Sequence, residues 1–230
     1  MSKVALPIRP PTGTEVWSDE FDDASIDPAW SRIDSCTASH GDWKEGYGWV
    51  GFSHSSGTSG VSNTGHWLVT PLPAGATHPF TVEYYVRMMQ SNQANYSMQL
   101  TAYSDSNTVA SGTQHMMMGH SSIGQGADIV GNRHWTGWNA QTSYANMGQY
   151  VYQPAGYYLR QRWASANSFR IEVSTDGITW LGSSAFALTL TPTHFAIGCT
   201  NYNNAVRFQT TYRYVRMYDT YPPVRSSDTL

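Results

Sequence analysis

The chain has 230 residues, enough for one large β domain or two small ones, and 13% of them are charged against roughly 25% in an average globular protein. Aromatic residues also reach 13%, which excludes a disordered polar chain, and a formal net charge of −3 with lysine only at Lys3 and Lys44 excludes a basic nucleic-acid-binding stripe. A polar, neutral surface rich in Tyr, Trp, Asn and Gln suits gripping sugars or packing stably against other proteins.

In chain order, residues 1–13 carry Pro7, Pro10 and Pro11 and read as an extended N-terminal arm, which either dangles or laces into a neighbouring subunit. The Asp27-Pro28 pair suits a helix start and predicts a short helical turn over Asp27–Arg32. Thr37–Gly65 is rich in Gly and Ser and carries Trp43, Trp49 and His54; it is either a long functional loop or a set of irregular strands. His66–Thr70, Phe80–Met89 and Tyr96–Ser104 are enriched in residues that favour a pleated, half-buried surface and predict strands. Ser111–Tyr150, rich in Gly, Asn, Gln and Met with Trp135, Trp138 and Tyr144, leaves the same two alternatives open. Tyr157–Ala164, Phe169–Thr175, His194–Thr200 and Val206–Tyr218 predict further strands. Residues 14–219 thus read as one domain, followed by a C-terminal tail over 220–230.

The sharpest local signal is Ser168–Trp180. Phe169, Ile171 and Val173 alternate with Arg170, Glu172 and Ser174, the period of a strand buried on one face. Asp176-Gly177 tolerates positive φ and Ile178-Thr179-Trp180 resumes strand chemistry, so a tight hairpin is predicted. The alternation of the last strand shifts near Tyr214-Val215, which predicts a bulge. Many strands, no amphipathic helix and no fixed-period repeat make the expected fold all-β: a two-sheet antiparallel jelly-roll sandwich with long loops and extended terminal arms.

No apolar run approaches the ~20 residues of a bilayer-spanning helix, so no membrane insertion is expected. The first residues lack the apolar stretch of a signal peptide. The expected location is the cytoplasm, or a particle assembled there and freed by lysis, unless the chain is a mature fragment. Cys36 and Cys199 could pair only if the first and last sheet regions meet; without a secretory signal, free buried thiols are expected.

Four stretches carry a family resemblance. Trp17-Ser-Asp-Glu-Phe-Asp-Asp23 followed by Ile26-Asp-Pro-Ala-Trp30, Tyr158–Trp163 followed by Phe169–Trp180, Phe195-Ala-Ile-Gly198, and Tyr214-Val-Arg-Met-Tyr218 resemble the concanavalin A-like lectin/glucanase superfamily, laminin-G-like jelly rolls of the type found in phage virion proteins. The resemblance implies a jelly roll over residues 14–219 but no particular activity, since one fold hosts many functions.

The glucanase branch of that superfamily would imply two carboxylates at even spacing on one strand, which sets them on one face at the roughly 5–5.5 Å needed for hydrolysis with retention. The pattern is missing here: Glu83 is followed on its own face by Tyr85 and Arg87, and Asp176, beyond Glu172 and Ser174, falls in a turn. No catalytic residue is assigned. Asp19, Asp22 and Asp23 are candidate ligands of a structural calcium ion, or else cap turns; no other cofactor is expected. His115 and His120, bracketing three methionines, would face opposite sides of an extended strand and not converge on a metal. The candidate glycan site is Arg133, Trp135, Trp138 and Asn139 with Tyr144, because an exposed indole offers a flat apolar face to a sugar ring while Asn and Arg bond its hydroxyls. The bland alternative is that both tryptophans fill a local core or a subunit interface. Trp43, Trp49 and His54 form a weaker patch of the same kind.

The expected function is a non-catalytic structural or adhesion protein of a bacteriophage particle, a head (capsid) decoration or tail-associated, able to bind glycans. Its expected partners are other virion proteins or copies of itself, and cell-surface polysaccharide. The alternatives are a stand-alone carbohydrate-binding lectin module and a laminarinase-like glycoside hydrolase.

Overall fold

The structure, a computed structural model, describes residues 13–34, 41–46, 48–54, 64–72, 78–90, 96–105, 115–123, 129–135, 141–150, 156–165, 168–182, 186–187, 192–202 and 208–219. Among these residues lie sixteen strands and no helix, hence none long and apolar enough to cross a membrane. In chain order they are β1 (Glu15–Asp19), β2 (Ser31–Asp34), β3 (Gly41–Gly46), β4 (Trp49–His54), β5 (Thr64–Pro71), β6 (Phe80–Gln90), β7 (Tyr96–Asp105) and β8 (His115–Ile123). The remainder are β9 (Ile129–Trp135), β10 (Gln141–Tyr150), β11 (Tyr157–Ser165), β12 (Ser168–Ser174), β13 (Leu181–Gly182), β14 (Phe186–Ala187), β15 (His194–Tyr202) and β16 (Phe208–Tyr218). A nine-stranded front sheet runs β13-β12-β11-β6-β16-β4-β3, with β1 added beside β16 and β14 beside β12. A seven-stranded back sheet runs β10-β9-β8-β7-β15-β5-β2. Every pairing is antiparallel, and the architecture is the expected all-β jelly-roll sandwich.

The core follows from residue alternation, because successive side chains on a strand point to opposite faces. Val50 and Phe52 of β4, Phe80, Val82, Tyr84 and Val86 of β6, Leu159 and Trp163 of β11, and Ile171 and Val173 of β12 face the back sheet, where Leu68, Phe195 and Ile197 meet them. Tyr212, a core residue of β16, ties the sheets together: its hydroxyl donates to the Gly198 carbonyl at 2.7 Å and accepts from the Gly198 N–H at 3.2 Å. That contact falls where the β15–β7 ladder slips, between Ile197 and Thr200. The hydroxyl thereby satisfies buried backbone groups beside the irregularity.

The structure refines three expectations. The bulge in β16 lies between Tyr212 and Tyr214, at the point where the neighbour of β16 changes from β4 (through Tyr212) to β1 (from Val215). The Ser168–Trp180 hairpin forms, with Val173 opposite Leu181, but its connection spans Thr175–Trp180 and is no two-residue turn. The Asp176 carboxylate explains the longer loop, since it accepts from the backbone N–H groups of Ile178 and Thr179, each at 2.8 Å. The helical turn expected at Asp27–Arg32 is a single tight turn closed by Trp30 N–H donating to the Asp27 carbonyl, and β2 begins at Ser31.

Both unassigned segments contain strands: β3 and β4 lie within Thr37–Gly65, and β8, β9 and β10 within Ser111–Tyr150. Their Gly-, Ser-, Met- and Asn-rich sequences lack clean alternation, so pairing partners rather than local propensity decide their state. Residues 1–12 of the N-terminal arm, the tail over 220–230 and Cys36 lie outside the described residues.

Candidate functional site on the outer face of the front sheet

The front sheet's outward residues form three rows across neighbouring strands. The middle row is ionic, with Glu172 of β12, Arg160 of β11, Glu83 of β6 and Arg216 of β16 in register. Arg160 donates through Nε to Glu83 at 2.7 Å, Tyr214 donates its hydroxyl to the other Glu83 oxygen at 2.8 Å, and Arg216 grips Glu20 with two bonds of 2.7 and 2.9 Å. Arg162 forms an ion pair with Glu172. Glu83, Arg160, Arg162 and Glu172 are all buried, so their mutual neutralisation in ion pairs is what makes that burial tolerable. The face of Trp180 covers the Arg160 guanidinium at 3.6 Å from the ring centroid, a cation–π contact.

Beside the ionic row runs an aromatic one. Tyr158, Tyr85 and Tyr214 are adjacent in register on β11, β6 and β16. Tyr85 meets Tyr158 edge-on at 4.8 Å and Trp49 of β4 at 5.9 Å, and Tyr158 meets Trp180 at 6.4 Å. Tyr158, Trp180 and Tyr214 are buried, whereas Trp49 and Tyr85 keep surface in solvent. Two glycines make room for these rings. A Cβ on Gly156 would stand 2.3 Å from the Tyr85 hydroxyl oxygen, and one on Gly177 would stand 3.3 Å from the Tyr158 ring; both have φ near +75°, at +79° and +71°. The left-handed backbone and the missing side chain are therefore needed together. Burial pushes the Tyr85 and Tyr158 phenols above their ordinary range, opposed at both by the charge of Arg213 and at Tyr85 also by Arg87. Burial pushes Tyr214 up too, reinforced by Glu83, so its hydroxyl stays a donor to that carboxylate.

Glu83 and Glu172 are the outward carboxylates of these central strands. They are separated by β11, hence by two strand spacings, roughly 9.4–9.8 Å between backbones. Both Glu83 oxygens are engaged and Glu172 is held by Arg162.

Around β1 lies a second acidic group. Asp19 accepts from the Phe21 N–H at 2.9 Å and the Trp30 indole N–H at 2.7 Å, and Asp23 accepts from the Ser25 N–H at 2.9 Å. The two backbone contacts cap turns, and among the described residues no three His, Cys, Asp or Glu side chains are grouped around a possible metal position. Burial, with the adjacent Asp23 and Asp19 carboxylates, pushes Glu45 up to about 7.

Of the glycan residues expected from sequence, Arg133 and Trp135 lie on β9 and Tyr144 on β10, with Tyr144 opposite Arg133 and Gln141 opposite Trp135. Trp138 and Asn139 are outside the described residues. The backbone register therefore places three of the five on one hairpin of the back sheet, far in strand order from the front-sheet rows. From the weaker patch, Trp49 joins the aromatic row; Trp43 and His54 are placed by backbone register alone. Tyr85, Tyr158 and Trp180 were missed by sequence reasoning. Their signal was parity: Tyr85 shares the outward phase of Glu83, and Tyr158 that of Arg160.

No protein-family model and no curated protein sequence matches the chain. Solved structures do. A functionally unknown protein from Saccharomyces cerevisiae has a TM-score of 0.60 at 14% identity, covering 86% of this chain and 98% of its own. A prokaryotic β-1,3-1,4-glucanase (lichenase) derived from a mouse hindgut metagenome gives 0.59 at 11% identity, with 88% and 98% covered. A legume lectin-like domain from Entamoeba histolytica gives 0.58 at 11% identity, with 89% and 97% covered. The fold is thus a jelly roll like those of the lichenase and the lectin-like domain, and a fold by itself fixes no activity.

Proposed function

We propose that this chain is a non-catalytic carbohydrate-binding protein that holds a glycan against Trp49 and Tyr85 on the outer face of the front sheet. The aromatic row carries the reading. Two part-exposed rings stand edge to face on a sheet, and the buried Tyr158, Trp180 and Tyr214 behind them fix their positions. Such rings offer flat apolar surface to sugar C–H groups while nearby polar groups orient the hydroxyls. The neighbouring lichenase and lectin-like domain make a glycan-directed use of the fold reasonable. Against hydrolysis stands the state of the carboxylates: Glu83 accepts two hydrogen bonds and Glu172 an arginine, so neither is poised to deliver a proton or attack a sugar carbon.

Glycan-array binding by the wild type, Trp49→Ala and Tyr85→Ala tests this. Either variant should lose binding at least about tenfold with an unchanged melting temperature, and no reducing ends should be released from mixed-linkage glucan. Absence of any glycan binding, or release of reducing ends, overturns the proposal. The placement of such a module on a phage particle, as a head or tail adhesin, is supported by the sequence resemblance and the Pro-rich arm. Co-sedimentation of the purified chain with virions is the corresponding assay, and a chain that stays monomeric and ignores virions counts against it.

A further inference from the structure

The arginines beside the aromatic row bear on the charge of its ligand. Arg87 lies two residues beyond Tyr85 on β6 and so shares its outward phase, while Arg213 is the extra residue of the β16 bulge, immediately before Tyr214. Both are exposed. Neither guanidinium forms an ion pair among the described residues, where Arg160, Arg162 and Arg216 take the carboxylates Glu83, Glu172 and Glu20. Between Arg87 and β4 the ladder runs through Thr211, whose hydroxyl donates to the Arg87 carbonyl at 3.4 Å, to Gly51, which has no side chain. The outcome is a shelf floored by Thr211 and Gly51, backed by Trp49 and Tyr85, and flanked by two cations that no carboxylate neutralises among the described residues.

Among the described residues, the acids on this face do not cancel that charge. Glu83 is buried and bonded to Arg160 and Tyr214. Asp176 sits by Tyr158 at the far end of the row, its charge held by backbone N–H groups. The chain as a whole is slightly acidic, so two adjacent exposed arginines give this part of the surface a local charge opposite to the net charge.

We infer that the glycan held on Trp49 and Tyr85 is anionic, a polysaccharide bearing carboxylates or sulfate esters that Arg87 and Arg213 engage. This rests on the carbohydrate-binding reading above and adds the ligand's chemical class. Guanidinium forks match the paired oxygens of both groups, and the aromatic shelf supplies the sugar contact that a bare cation pair lacks.

The test measures binding of the wild type, the double variant Arg87→Met/Arg213→Met, and Trp49→Ala to a polyuronate, a sulfated galactan, a neutral β-glucan, a neutral mannan and polyglutamate, at low and physiological salt. The wild type should prefer at least one anionic glycan over both neutral ones by about tenfold, and the arginine double variant should lose about that factor together with most of the salt dependence. Its melting temperature should not change, since both residues are exposed. Trp49→Ala should weaken all glycan binding. A preference for the uronate or for the sulfate identifies which anion the arginines grip. Equal or tighter binding of neutral glycans overturns the inference while leaving the carbohydrate reading intact. Polyglutamate bound as tightly as the glycans reduces the patch to nonspecific charge and overturns it too. Failure to bind any polysaccharide overturns both.

Discussion

Glu83 is the residue whose loss the outer face should tolerate least. It is 4% exposed and neutralises Arg160 while accepting the Tyr214 hydroxyl. In Glu83→Leu the guanidinium stays buried without its counter-charge, and breaking a buried pair this way costs about 3–5 kcal/mol. An independent route gives a similar figure, since two hydrogen bonds to a charged acceptor are each worth about 1.5–3 kcal/mol. The Trp180 face over Arg160 keeps part of the cation satisfied and holds the loss nearer the lower end, about 3–4 kcal/mol. That is a large share of the about 5–15 kcal/mol that stabilises an ordinary domain. Glu83→Leu/Arg160→Met removes both charges and should recover part of the loss, leaving about 1–3 kcal/mol from the orphaned Tyr214 hydroxyl. Adding Tyr214→Phe should remove that residue of cost as well. Urea unfolding at constant m-value measures each step. A Glu83→Leu cost below about 1 kcal/mol, or single-variant costs that simply add in the double variant, would show that the row is solvated and not a coupled buried network.

Tyr212→Phe should cost about 1–3 kcal/mol in the same assay, because it strips both partners from the buried Gly198 backbone groups; an unchanged midpoint would refute the inter-sheet tie. Gly177→Ala should destabilise by about 1–2 kcal/mol through its left-handed backbone and press on Tyr158. Gly156→Ala must in addition displace the Tyr85 ring, so it should weaken glycan binding more than stability alone predicts. Glu45 gives a pH signature. Its value rises from 4.5 to about 7 in the native state, so the folded form binds the extra proton between those values. Its stabilisation is complete below about 4.5 and lost as pH rises through about 7. Glu45→Gln should flatten that decline and melt above the wild type at pH 8; parallel melting curves from pH 4 to 8 would sink this account.

Much of the front sheet was legible in the residues. The predicted strands Phe80–Met89, Tyr157–Ala164 and Phe169–Thr175 coincide nearly end to end with β6, β11 and β12, because each alternates strictly between a core face and an outer face. The strands β8 to β10 were not, since Met116-Met117-Met118 and the Gly- and Asn-rich stretches around them carry no alternation to read. The hairpin at Asp176-Gly177 was recognised, but its length was set by a carboxylate bonding forward to Ile178 and Thr179, a side-chain geometry that a dipeptide signal does not reveal.

The candidate site divides the same way. Sequence alone determined the outward phase of β6 and β12, and it showed no second carboxylate at retaining spacing beside Glu83 or Glu172, because the period of two is a local property of extended backbone. Only the tertiary structure decided which outward residues meet. Glu83, Arg160 and Tyr214 lie 77 and 131 residues apart in the pairs that join them, and Trp49 reaches Tyr85 across an intervening strand. Register between distant strands is fixed by the whole core packing at once, so no stretch of the chain read by itself contains it.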